Sequence, residues 1–152
     1  MNKYRTNKVI YIIGIAFQVA ALVLEILPTG AVLRFADGPT RTIIRTYSYF
    51  DMMLWGYANI TPMLTGIMTI AVIIFGILAL CRHEKADKIR KAAFICSIVA
   101  IILSIVPFVL FGSSYMTMIS YIISSVMAVS ICLQAVANRK SQRNTIEQKL
   151  PE

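Results

Sequence analysis

Glu25 is the one ionisable side chain inside otherwise apolar spans, and a carboxylate in that setting is a candidate for proton or cation handling. Gln18 lies seven residues before it, with Gly14 and Ala21 at helical spacing on the same face. Further along, Thr61, Thr65 and Thr69 form a ridge beside Gly66, and Ala93, Ser97, Ala100, Ser104 and Pro107 form another. Ser113, Thr117, Ser120 and Ser124 line up as a third, with Ala128 and Cys132 continuing the four-residue steps. Small and hydroxyl side chains let helix backbones approach and hydrogen-bond across the contact, so these faces read as the inside of a bundle. A polar pathway for a solute is the sharper alternative. Depth qualifies Glu25: seventeen residues past Lys8, at about 1.5 Å each, place it roughly 25 Å up the helix and near its outer end. A salt bridge to Arg34, Arg41 or Arg45 is therefore its expected role, with ion coupling second and a helix–helix hydrogen bond expected of Gln18.

Other chemistry finds little support. His83 has no cysteine or second histidine at ligand spacing and reads as a solvated loop residue. Cys81, Cys96 and Cys132 are scattered through apolar segments, which suits small hydrophobes and forms neither a disulfide framework nor a metal site. There is no glycine-rich phosphate loop and no nucleophile–base pairing, so no catalytic residue, cofactor or metal is expected and the protein is read as a non-enzyme. The net charge of +8 invites nucleic-acid binding, but the basic residues gather at helix ends, which is a topology signal.

The elements that must position these side chains are membrane spans. From Ala92 to Asn138 there is no Asp, Glu, Lys or Arg, more than twice the roughly 20 apolar residues one crossing needs. Gly112-Ser113-Ser114 divides that run. Spans are expected at about 9–27, 60–81, 92–111 and 115–137, with Thr61-Pro62 as a helix start. The fold class is thus an all-α membrane protein, a four-transmembrane-helix bundle over residues 1–138 with a small β-hairpin in its first outer loop and a cytoplasmic polar tail at 139–152, read as disordered from Ser141 to Glu152. Lys3, Arg5 and Lys8, the basic residues of 82–91, and Arg139, Lys140, Arg143 and Lys149 lie on one side of this plan, against only Arg34, Arg41 and Arg45 on the other. That bias puts both termini in the cytoplasm of a plasma-membrane protein. A cleaved signal peptide ending near Thr29-Gly30-Ala31 is the rival, disfavoured by the length of the run and by Glu25 and Pro28.

The outer loop, residues 28–59, is patterned. Val32 to Phe35 and Thr40 to Phe50 flank a turn sequence at Asp37-Gly38, which predicts a β-hairpin. Alternation would place Arg41, Ile43, Arg45, Tyr47 and Tyr49 on one face. An isolated hairpin is marginal in water, so it must lean on helix ends or a partner. Asp51 to Tyr57 reads as an interfacial segment whose Trp55 and Tyr57 anchor in the headgroup layer or, alternatively, offer a partner platform. The sequon Asn59-Ile60-Thr61 abuts the membrane and is read as chance.

The plan of four spans with a first outer β-hairpin region bearing a tryptophan is similar to the claudin topology, but Leu54-Trp55-Gly56 lacks the paired cysteines of that family. Tyr47-Ser48-Tyr49-Phe50, Trp55-Gly56-Tyr57-Ala58-Asn59 and Pro62 look more like a group of small four-span bacterial membrane proteins with no assigned activity. Small multidrug exporters also have four spans and a membrane glutamate, but place it deep in the first helix, unlike Glu25. The expectation is a protein acting by assembly or partner binding through its outer loop. Its partners would be the bilayer and either another membrane protein or further copies of itself, with no nucleic acid. The alternative is a small oligomeric transporter or channel subunit using Glu25 and the polar faces.

Overall fold

The computed structural model describes residues 3–37, 41–52, 59–81 and 86–147, with side chains over 8–37, 41–52, 59–81 and 86–139. Four helices carry the chain: α1 (Lys3–Ile26), α2 (Thr61–Cys81), α3 (Ala86–Phe111) and α4 (Met118–Glu147). All four contain stretches long and apolar enough to cross a membrane, which supports a multi-pass membrane protein. The bundle buries small and polar side chains among its apolar core and turns large apolar ones outward. Ser97, Ser104, Ser130 and Gln134 are buried, whereas Ile74, Ile102, Val109 and Leu110 are exposed along the flanks. Lipid tails solvate such flanks as well as a protein interior would, so close packing and interhelical hydrogen bonds must hold the helices together.

α1 packs chiefly on α4 and α2 chiefly on α3, with lighter contacts between α1 and α2 and between α3 and α4. The ring order is therefore α1–α2–α3–α4. Each inner face follows from residue size. On α3 the buried set is Ala93, Ser97, Ala100, Ser104 and Pro107, the face read from spacing. On α4 it is Ser120, Ile123, Met127, Ser130, Gln134 and Ala137, and here the expectation needs correcting. Four-residue steps drift about 40° per step around a helix of 3.6 residues per turn. The ladder through Ala128 and Cys132 therefore walks off the core, and Cys132 is exposed. Ser113 lies outside α4, in a short 3-10 turn over Ser113–Tyr115.

Local signals set the ends. Gly112 closes α3: its N–H still donates to Phe108 O at 2.9 Å, and its φ of +82° is one that glycine adopts without strain. Thr117 and Ser120 start α4 by a reciprocal capping box: Ser120 N–H donates to Thr117 Oγ1 at 3.1 Å and Thr117 N–H to Ser120 Oγ at 3.2 Å. α3 begins at Ala86, earlier than the apolar run, with Asp87 favourably placed in its first turn. α4 continues to Glu147, so much of the tail read as disordered is helical.

The expected hairpin is present. β1 (Ala31–Ala36) pairs antiparallel with β2 (Thr42–Tyr47) in the register Ala31↔Tyr47 to Ala36↔Thr42. Asp37 N–H donates to Arg41 O at 2.8 Å across the turn, whose residues 38–40 lie outside the described ones. β1 is the inner strand. Ala31 and Leu33 join Ala21, Ala100, Ile123 and Met127 in the core, and Ala31 also bridges to Met116. Arg34 braces the same junction, donating through Nη2 to Ser114 O at 3.3 Å with its guanidinium 5.1 Å from the Tyr115 ring centre. The hairpin and the α3–α4 turn thus share one end of the bundle.

Candidate functional site

Glu25 occupies the last full turn of α1 and is entirely buried. Its carboxyl turns inward to α2, where Oε1 accepts the Thr69 hydroxyl at 2.8 Å. The ridge expected on α2 is real: Thr65 and Thr69 have no exposed surface, and each hydroxyl also lies near the carbonyl one turn back, at 2.9 and 3.1 Å. The expected salt bridge is not formed. Arg34 is engaged with the α3–α4 turn, and Arg41, just before β2, and Arg45, within it, are exposed. Charge matching suggested that pairing, but the helix phase that buries Gly14, Gln18 and Ala21 also turns Glu25 away from the hairpin. Its second oxygen, Oε2, has no hydrogen-bond partner among the described residues.

Tyr49 closes the cluster from above. Its N–H donates to the Glu25 main-chain carbonyl at 2.9 Å, serving an acceptor that the helix end leaves over. Its ring packs so tightly on Gly30 that a Cβ there would sit 3.0 Å from it, and its hydroxyl hydrogen-bonds with Ser120 and Ser104. Burial, with the Glu25 carboxyl beside it adding in the same direction, pushes the Tyr49 hydroxyl up to about 12. Ser120 Oγ donates to Gly30 O at 2.5 Å, and Ser104 and Ser124 share a hydrogen bond of 2.6 Å between α3 and α4. Next to Tyr49, the Phe50 ring lies over Gly66 of α2, where a Cβ would come within 2.7 Å of it. Tyr49 was expected on the hairpin face that carries Arg41, Ile43, Arg45 and Tyr47. The strand ends at Tyr47, the chain turns at Ser48, and alternation no longer applies, so only 3% of Tyr49 is exposed.

A second polar cluster lies toward the other end. Ser130 Oγ donates to Gly14 O at 2.8 Å and accepts from Gln134 Nε2 at 3.1 Å, while Ser97 Oγ lies 3.3 Å from Gln134 Oε1. These bonds tie α1, α3 and α4. Between the clusters sits Gln18, fully buried, with neither amide atom partnered among the described residues. The helix–helix bond expected of it is not made. The Tyr11 hydroxyl is likewise unpartnered, with the Arg90 guanidinium 5.1 Å from its ring centre.

The hairpin presents a different surface. Tyr47 is half-buried and, with Phe35, Ile43 and Arg45, lines a groove of about 270 Å³. Ile43 and Ile44 are 41% and 56% exposed. Trp55 and Tyr57, like His83, lie outside the described residues. Asn59 of the sequon is buried, its Oδ1 accepting the Thr61 hydroxyl at 2.9 Å. Among the described residues no three His, Cys, Asp or Glu side chains gather as a metal site. Sequence reasoning missed Tyr11, Ser130 and Gln134; alternating steps of three and four residues from Ser120 would have found the last two.

Comparison with known proteins gives no match to a family model, a curated protein or a solved structure. The chain is thus defined by its own architecture, four helices apolar enough to span a membrane with a two-stranded sheet between the first two.

Proposed function

We propose that the protein is a non-enzymatic membrane protein that acts by assembly with a partner through its outer hairpin, its termini lying in the cytoplasm. The observation that supports this most is the state of β2. Its residues are exposed from Thr42 to Thr46, and no strand among the described residues pairs with its outer edge. Proteins normally blunt such edges, and an open, apolar edge is a template for adding an extended segment. Here the edge is mounted on a core-anchored strand, so it is held in place ready for a partner. Arg41, Arg45 and the groove beside Ile43 suit a segment alternating apolar and acidic residues.

Deleting the hairpin would not test this, because Leu33 and Tyr49 belong to the core. Ile44→Lys with Arg45→Glu changes exposed atoms only. The pair should abolish co-purification of the partner from gently extracted membranes while the bundle keeps its melting behaviour. Unchanged partner recovery would rule the hairpin out. A second reading, a small oligomeric transporter or channel subunit, draws on the unpartnered Glu25 Oε2 and Gln18 amide.

A further inference from the structure

Tyr11, Gln18 and Glu25 stand on one stripe of α1, each seven residues and so about 10.5 Å beyond the last. All three are buried, with exposures of 1%, 0% and 0%. Each keeps polar atoms without a hydrogen-bond partner among the described residues: the Tyr11 hydroxyl, both amide atoms of Gln18, and Glu25 Oε2. Buried polar atoms are normally satisfied, and internal water is the usual partner where side chains are not. In an apolar bundle the cost of an orphan is at its largest. Three in register along one helix face point to a shared cause. Other polar side chains lie along the stripe: Thr69 on Glu25, Ser104 and Ser120 on the neighbouring Tyr49, and Ser130 and Gln134 beside Gly14.

We infer that this stripe is a water-bridged proton path with Glu25 as its carrier, an inference that rests on the transport reading above and names its cargo. At the hairpin end Glu25 Oε2 takes a proton from hydronium, leaving water and a neutral carboxyl that still accepts the Thr69 hydroxyl through Oε1. It then yields that proton to a water on the Gln18 side, regenerating the carboxylate. Gln18 changes no protonation state. Its carbonyl accepts from one water and its amide donates to the next, which orients the line toward the Tyr11 hydroxyl. A proton suits the site because it neutralises a buried carboxylate that no cation pairs with among the described residues. Of the groups facing Glu25, Thr69 on α2 is uncharged and Tyr49 from the loop is the titratable one, itself set against the uncharged Ser104 of α3 and Ser120 of α4. Arg90 stands at the far end, over Tyr11.

The test uses the full chain in liposomes holding a pH-sensitive dye, with a potassium gradient and valinomycin setting the driving force. Wild type should acidify the lumen faster than protein-free vesicles, and more slowly in deuterium oxide than in water. Glu25→Gln, which keeps the acceptor for Thr69, and Gln18→Leu should each fall to the protein-free rate. Ile102→Val on the lipid face should not, and circular dichroism and gel filtration would confirm that all variants fold. Wild-type flux at the protein-free rate, or full flux in Glu25→Gln, would overturn the proton path. Glu25-dependent sodium or potassium flux without proton flux would overturn the cargo and leave the transport reading standing. No Glu25-dependent flux of any of these ions would remove both.

Discussion

Replacing Thr69 by valine isolates the contact at the centre of the hairpin-end cluster. The substitution keeps the shape of the side chain and removes the hydroxyl that lies 2.8 Å from Glu25 Oε1. Because Oε2 is already unpartnered among the described residues, both carboxyl oxygens are then orphaned at a site with no exposed surface. Leaving a buried acceptor unpaired costs about 1–3 kcal/mol in soluble proteins. Hydrogen bonds between membrane helices average about 0.6 kcal/mol and reach about 1.7. The hydroxyl's second neighbour, the Thr65 carbonyl at 3.1 Å, contributes little because it belongs to the helix ladder. A loss of about 1–2 kcal/mol is expected where the upper membrane range overlaps the orphan penalty. In a Glu25→Leu background the same change should lie within about 0.5 kcal/mol of neutral, since the coupled partner is gone. The four proteins of this cycle can be unfolded reversibly in mixed micelles by titration with denaturing detergent. Equal losses in the two backgrounds would mean that Thr69 stabilises α2 without reference to Glu25.

Two glycines on α2 should respond differently to alanine. At Gly66 the new Cβ would come within 2.7 Å of the Phe50 ring, a rigid group, so overpacking of about 1–3 kcal/mol outweighs the helix-propensity gain of about 1. At Gly76 it meets the tip of Ile15 at 2.9 Å, which can turn aside, so Gly76→Ala should be near neutral and a loss as large as that of Gly66→Ala would count against the packing described. Tyr49 supplies a pH prediction. Its hydroxyl is raised from the ordinary 10.0 to about 12, so the folded state holds that proton more tightly than the unfolded chain does. Its contribution to stability is complete below pH 10 and is lost as pH climbs from 10 toward 12; Tyr49→Phe should flatten that decline in an alkaline melting series, and an unchanged slope would contradict the burial of the hydroxyl.

Much of the architecture was legible because it depends on one-dimensional signals. Span length, the charge-free run after Lys91 and the Gly112 break are local properties, and they foreshadowed four helices and the α3–α4 turn. The inner faces of α1 and α3 were legible because small and polar residues there keep the true helical phase. α4 is less legible because serine occurs on several of its faces, so a four-residue ladder leads to Cys132, whereas the buried face runs through Ser130 and Gln134. The site needed information that the sequence carries only weakly. Whether Glu25 looks toward the arginines or toward Thr69 depends on the rotation of α1 within the bundle. Likewise, Tyr49 follows strand-like residues, yet one turn at Ser48 separates an exposed platform from a buried plug. Trp55 and Tyr57, expected as anchors or as a platform, lie outside the described residues.

The proposed hairpin interface is tested most directly by site-specific photo-cross-linking in native membranes, with the probe at Ile44 and a control at Val109. Both positions are exposed, at 56% and 72%, but one lies on the open strand and the other on the apolar flank of α3. A discrete protein adduct is expected from Ile44, lost with Arg45→Glu, and none from Val109. No adduct from Ile44, or the same pattern from both positions, would contradict a partner docking on the hairpin.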